Sequence, residues 1–334
     1  MEDTNKIKKS LEILAQRQLP RILTQFCRDP HNPSYGCADR NWWHYKIRDF
    51  PSIILQQAGL TIKTATELSC FKSYKLHNLI ESSVLFWNKR VNKYGAFEEY
   101  YPWEKGYPPL AFSTLAILLV IKDSNIDSQR IFSGVKKASY QLINRFENQA
   151  ANQQIAGLAA LSWIRNIYPG LVSEKKFNEI SHKSLELQDE EGWFEEYGGP
   201  DLGYLSVTLD CLWDLFDATK EEKYFAAAVK SLNYFSSIIK WTGGESIGMH
   251  NSRNTDYIVP YGFSRFLSCQ NNLSNEANLI LQKVFSNSHA NNHFYSGIDD
   301  RYWCHYIGTS LLRSLKFIPE ENLLTKREEC IGDF

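Results

Sequence analysis

Apolar residues recur at helical spacing along almost the whole chain, and no run alternates apolar with polar as a half-buried strand would. The pattern predicts helices in two alternating sets. The first covers about 5–27 (bent at Pro20), 73–91, 127–146, 174–188, 220–239 and 273–288. The second covers about 50–62, 108–122, 152–167, 202–217, 256–269 and 303–316. Asp49 ahead of Phe50-Pro51 reads as an N-cap followed by a first-turn proline, and Pro108-Pro109 opens the next helix of the second set. Pro260 fits the fifth helix of that set only in its first turn.

The two sets differ in their faces. LAFSTLAILLVI (110–121) and IAGLAALSWI (155–164) are apolar on nearly every side, whereas 127–146 and 220–239 carry Lys, Arg and Glu along one side. A helix that is apolar all round is buried all round, so the second set is expected to form an inner ring and the first an outer one. The fold class that follows is all-α, an (α/α)6 toroid of six helical hairpins, with residues 1–334 as one domain. Connections from outer to inner helices are mostly long (28–49, 92–107, 189–201, 240–255, 289–302), and all emerge on one rim. Loops on a rigid scaffold are where sites are usually built.

Two internal pairs mark that rim. GAFEEYYPWEKGY (95–107) matches GWFEEYGGPDLGY (192–204) at seven positions without a gap, and DRNWWHY (39–45) matches DRYWCHY (300–306) at five. Adjacent glutamates point in different directions, so at most one each of Glu98-Glu99 and Glu195-Glu196 is expected to face the cavity. In a closed ring the first and last hairpins are neighbours, which would bring Arg40, Trp42 and His44 beside Arg301, Trp303 and His305. The densest polar stretch is HNSRNTDYIVPYG (250–262), with His250, Asn251, Arg253, Asn254, Asp256 and Tyr257. Arg pairs bidentately with a carboxylate, Asn and His donate to it singly, and Tyr can move a proton.

Composition narrows the partner. A net charge of −1 provides no basic field, so a nucleic-acid partner is not expected. Aromatic residues make up 14% of the chain, which favours platforms for sugar rings, with Trp42, Trp193, Trp303, Tyr197 and Tyr204 as rim candidates. The inner-helix N-termini and Arg40, Arg253 and Arg301 bias the mouth toward an anionic saccharide. Leu110–Ile121 is too short to span a bilayer, and the first residues lack an apolar leader core, so no membrane insertion and a cytoplasmic location are expected. The seven cysteines are scattered and odd in number, as free thiols would be. His289 and His293 lack a third ligand at recognisable spacing, and no glycine-rich nucleotide loop or GxSxG elbow occurs, so no metal and no cofactor are expected.

On these residues the chain resembles the α/α-toroid superfamily of carbohydrate-active proteins, especially the helical domain of heparinase-type and alginate-type polysaccharide lyases. The resemblance implies that Asn251 and Arg253 neutralise a uronate carboxylate. It makes Tyr257 or His250 the base and acid of a β-elimination, with His44 and Glu196 as further candidates. Arg40, Trp42, Glu99, Trp193, Tyr197, Tyr204, Arg301, Trp303 and His305 are the expected substrate-binding residues. Three alternatives stand beside elimination: an inverting glycoside hydrolase using the rim glutamates, a glycan-binding scaffold, and a terpene-cyclase-like toroid. The last is suggested by a local resemblance of 185–215 to a QW repeat, although its DxDD and DDxxD motifs are missing.

Overall fold

The computed structural model describes residues 2–71, 75–242, 252–253, 255, 257–269, 272–285 and 298–319. In chain order its helices are α1 (Glu2–Gln25), α2 (Arg40–Trp43), α3 (Ala58–Glu67), α4 (His77–Arg90), α5 (Tyr107–Lys122), α6 (Phe132–Asn144) and α7 (Ala151–Ile167). They continue as α8 (Glu174–Leu185), α9 (Leu202–Thr219), α10 (Glu222–Thr242), α11 (Tyr261–Phe266), α12 (Asn272–Phe285), α13 (Asp300–Trp303) and α14 (Tyr306–Ser314). Each inner helix packs on the next: α3 on α5, then α7, α9, α11 and α14, and α14 returns to α3. The ring is therefore closed, an (α/α)6 toroid. Among the described residues no sheet forms, and no helix is long and apolar enough to cross a membrane.

Burial follows the composition of the two sets. Every residue of α5 from Pro109 to Ile121 is buried, as a helix packed on all sides requires. In α6 only Gly134, Val135, Ala138, Ser139 and Leu142 are buried, one stripe against the inner ring. The differences from the expected boundaries have local causes. Proline has no N–H to donate, and Pro260 stands at the N-cap of a short α11 instead of inside a helix beginning at 256. The segment expected over 50–62 starts as a tight 3-10 turn at Ile53–Gln57 and runs on through α3. The one expected over 303–316 is divided into α13 and α14, with His305 as the N-cap of α14.

Between the inner helices lies a cavity of about 30 Å3 whose lining includes Gln57, Phe112, Leu115, Asp210, Asp214 and Arg313. Asp210 accepts the Gly262 N–H at 2.6 Å, and burial pushes its carboxyl up to about 7. Its folded pKa thus lies above the unfolded value near 4, so the stability it contributes is fully present below about pH 4 and is lost as pH rises through about 7. Asp210→Asn, neutral at every pH, is expected to melt higher than the parent at pH 8 and to flatten the dependence of melting temperature on pH between 4 and 8. Calorimetry reads this directly, and an unchanged pH dependence would contradict it.

Candidate active site

The two FEEY loops bend the same way for the same reason. In one, Asn92 N–H donates to Ala96 O at 3.3 Å and Gly95 N–H to Asn92 O at 3.0 Å; in the other, Asp189 N–H donates to Trp193 O at 2.8 Å and Gly192 N–H to Asp189 O at 3.0 Å. Gly95 and Gly192 have φ of +77° and +108°, a region side chains disfavour. A Cβ on either would meet the backbone of the next outer helix, Lys137 O at 2.0 Å on α6 or Lys230 O at 2.3 Å on α10. Each bend then separates its two glutamates. Glu98 accepts Trp103 N–H and Glu195 accepts Gly198 N–H, holding their own loops, while Glu99 and Glu196 turn inward and are buried.

Glu196 is fully buried, and both the backbone N–H and the side-chain amide of Asn152, in the first turn of α7, donate to its Oε1 at 2.7 Å. Its Oε2 has no hydrogen-bond partner among the described residues. Burial outweighs the two Asn152 bonds and lifts this carboxyl to about 8, with Asp201 and Glu195 adding to the rise. Asp201 caps α9 through Tyr204 N–H at 3.0 Å, and its other oxygen accepts Arg253 N–H at 3.2 Å and the Thr255 hydroxyl at 2.7 Å. The Ser252 hydroxyl donates to Glu196 O at 2.5 Å. The segment around Arg253 is thereby fastened to the Glu196 loop. The Arg253 guanidinium is exposed, lies 4.5 Å from the Tyr197 ring centre, and makes no ion pair among the described residues.

On the other side of the mouth stands Glu99, which accepts the Ser52 hydroxyl just ahead of the first inner turn. Arg48 donates to the Glu99 carbonyl and lies 3.9 Å from Asp39 and 4.0 Å from the Glu99 carboxyl. Burial raises the Glu99 carboxyl, opposed by Ser52 and Arg48. The two DRxWxHY copies meet here: Arg301 of the second lies 3.4 Å from the buried Asp39 of the first, and each copy coils into a single helical turn, α2 and α13. Between the two glutamates' surroundings lies a group of tyrosines. The Tyr257 and Tyr306 hydroxyls bond each other, Tyr204 packs edge-on against Tyr257 with ring centres 6.3 Å apart, and Tyr302 stacks on His305 at 5.3 Å. Burial, with phenol neighbours, pushes Tyr257 and Tyr306 well above the usual tyrosine value and Tyr204 up to about 12. Burial pushes His305 down to about 4, so its imidazole is neutral at physiological pH.

Several sequence-derived candidates thus converge: Glu196, Arg253 and Tyr197 in one cluster, Glu99 and Arg301 in another, and Tyr204, Tyr257 and His305 in the aromatic group. Others lie elsewhere. Trp303 is fully buried, because the turn of α13 points it into the core, and it has no surface to offer a substrate. Trp42 packs on Phe86 of α4 with Arg90 and Lys46 near its ring, and Trp193 is half-buried against the core. His44 is exposed between Trp43 and Tyr45, and Arg40 sits over Tyr45 at 5.2 Å. His250, Asn251, Asn254, Asp256, His289 and His293 lie outside the described residues. Asp39, Arg48, Ser52, Asn152 and Asp201 are site residues that the sequence reading did not select. Two of them carried a local signal: Asp39 opens the repeated DRxWxHY segment, and Asp201 stands in N-cap position ahead of an apolar run. Among the described residues no group of three or more His, Cys, Asp or Glu is placed to hold a metal.

No family model matches the chain, and no curated protein matches it in sequence. In structure it is similar to a crystal structure of a mutant unsaturated glucuronyl hydrolase from Streptococcus agalactiae, with a TM-score of 0.57 and 13% identity. The likeness covers 95% of this chain and 92% of the other, so it extends around the whole ring and agrees with the toroid drawn above.

Proposed function

We propose that this chain is a carbohydrate-active enzyme that hydrolyses a uronate-containing oligo- or polysaccharide at the loop-rich rim, with Glu196 as the proton donor. The observation that carries this reading is the state of Glu196: a carboxyl lifted to about 8, hence protonated at neutral pH, with one oxygen unpartnered among the described residues. Asn152 fixes the other oxygen, so the acidic proton belongs on Oε2; that oxygen is itself buried, so the proton reaches a departing glycosidic oxygen through a relaying water or a shift of the Glu196 loop. The Arg253 guanidinium, 4.5 Å from the Tyr197 ring centre and without an ion pair among the described residues, is suited to a sugar carboxylate. Glu99, whose carboxyl is raised by burial against the opposing Ser52 hydroxyl and Arg48, takes the second role, activation of water. Two carboxyls in unlike environments are what acid and base roles require. The likeness to a glucuronyl hydrolase supports both the uronate and the hydrolysis.

The same geometry weighs against Tyr257 as the base of an elimination. Its hydroxyl is tied to Tyr306, and its neighbours are other phenols and Asp201, which make a phenolate harder to form. Tyr257→Phe is therefore expected to leave turnover of acidic oligosaccharides largely intact. A variant that loses turnover, with a parent that generates ultraviolet-absorbing unsaturated products, would establish elimination in place of hydrolysis.

A further inference from the structure

The FEEY loop at 95–107 matches the one at 192–204 at seven positions, yet between Tyr100 and Glu104 the two diverge, and the divergence exposes aromatic rings. Tyr100 is 74% exposed, Tyr101 72% and Trp103 88%. Neither Tyr101 nor Trp103 makes a ring contact among the described residues. Exposed side chains of this size are costly to leave in water, and a cluster of them on a soluble surface marks a place where something binds.

The backbone beneath these rings is held firmly. One carboxylate oxygen of Glu104 accepts the N–H groups of Glu99, Tyr100 and Tyr101 at 3.0, 2.7 and 3.4 Å. Glu98 accepts the N–H of Trp103 at 3.0 Å, and Trp103 sits at φ +68°, a left-handed conformation that a residue with a large side chain seldom adopts. Two carboxylates and a disfavoured torsion are thus committed to holding a short loop with its rings outward, and strain of this kind is retained where the surroundings impose it. Glu98 and Glu104 keep their negative charge but direct it at backbone N–H groups, while two lysines stand beside the loop. The ammonium groups of Lys93 and Lys105 lie 4.9 and 4.7 Å from the Tyr94 ring centre and make no ion pair among the described residues. Arg145 donates to the Lys105 carbonyl. Tyr100 links the loop to the mouth, being close enough to Glu99, Arg48 and Tyr302 to feel their charge.

We propose that Tyr101 and Trp103 form a stacking platform that holds the sugar rings of an extended polyuronate chain outside the rim site, with Lys93 and Lys105 meeting its carboxylates. Aromatic faces supply area to the apolar side of a pyranose at little conformational cost, and flanking ammoniums select acidic chains over neutral ones. This rests on the proposed action at the rim and deepens it: the substrate is a polymer.

The test is affinity electrophoresis of Glu196→Gln, which separates binding from turnover, through gels containing alginate, hyaluronan or dextran. Retardation by at least one of the two polyuronates and not by dextran is expected. Adding Tyr101→Ala and Trp103→Ala should weaken it at least about tenfold, as loss of stacked aromatic anchors does. Trp103→Phe, which keeps a ring, should retain most of the binding. Circular dichroism of each variant should match the parent, both side chains being exposed. A Tyr101→Ala/Trp103→Ala variant that binds as tightly as its parent, retardation by neither polyuronate, or equal retardation by dextran would each overturn the platform. Turnover of short acidic oligosaccharides by the unmodified enzyme is read separately. Its absence, with ring-dependent retardation intact, would overturn the rim chemistry and leave the platform standing.

Discussion

Replacing Glu196 with glutamine is expected to lower kcat on acidic oligosaccharides by a factor of about 10²–10⁴, the usual contribution of a general acid. Glutamine keeps the volume and can still accept both Asn152 bonds on its amide oxygen, so the loop should hold its shape. What it lacks is a proton to give. The pH profile offers an independent check. With the free enzyme's acid near 8, kcat/KM of the parent should fall on the alkaline side around pH 8, and the rise of this carboxyl through burial sets that limb well above that of an ordinary glutamate. Folding stability shifts in the same window. A folded value near 8 above an unfolded value near 4 means that stability is lost as pH rises through about 8, so Glu196→Gln should be at least as stable as the parent at pH 9. A variant with full activity, or with the alkaline limb unmoved, would remove Glu196 from the chemistry.

The largest loss of stability is expected from Asp214→Ala. Asp214 of α9 and Arg313 of α14 form a two-pronged pair across the lumen, with side chains 3% and 13% exposed, and the guanidinium lies 3.7 Å from the Tyr261 ring centre. Arginine cannot shed its charge, so truncating the aspartate leaves a cation in the middle of the ring, and such a loss costs about 3–5 kcal/mol. Asp210 is close enough to feel Arg313 and takes over part of the pairing by ionising, which places the expected cost near the lower end, about 3 kcal/mol. Asp214→Ala/Arg313→Met should recover much of it, because neither charge is then stranded. Urea denaturation measures both, and a single variant within about 1 kcal/mol of the parent would show that the pair is not holding the ring closed.

The ring was legible because its inner helices are apolar on all faces and its outer ones on a single stripe, a contrast that local sequence carries in full. The rim was legible through duplication, since the two FEEY loops and the two DRxWxHY segments do stand at the mouth. Which glutamate turned inward was not, because that depends on glycines pressed against the backbone of the next outer helix, contacts made about 40 residues away along the chain. The Glu99 surroundings were hidden for the same reason: Arg48 and Ser52 reach it from the neighbouring hairpin, about 50 residues earlier in the chain. Trp303 stands among polar residues in sequence, yet one helical turn sends it into the core. Arg253 and Tyr257 are near neighbours in the chain, but their partners come from far along it: the guanidinium lies on Tyr197 and the phenol bonds Tyr306.

The measurement that bears most directly on the rim chemistry is turnover of a panel of uronate oligosaccharides in ¹⁸O-labelled water, followed by mass spectrometry and ultraviolet absorbance. Hydrolysis with Glu196 as acid predicts products that carry one labelled oxygen, no growth of the absorbance of a conjugated double bond, and loss of both turnover and label in Glu196→Gln. Unlabelled products accompanied by rising absorbance, or no turnover of any acidic member of the panel, would contradict it.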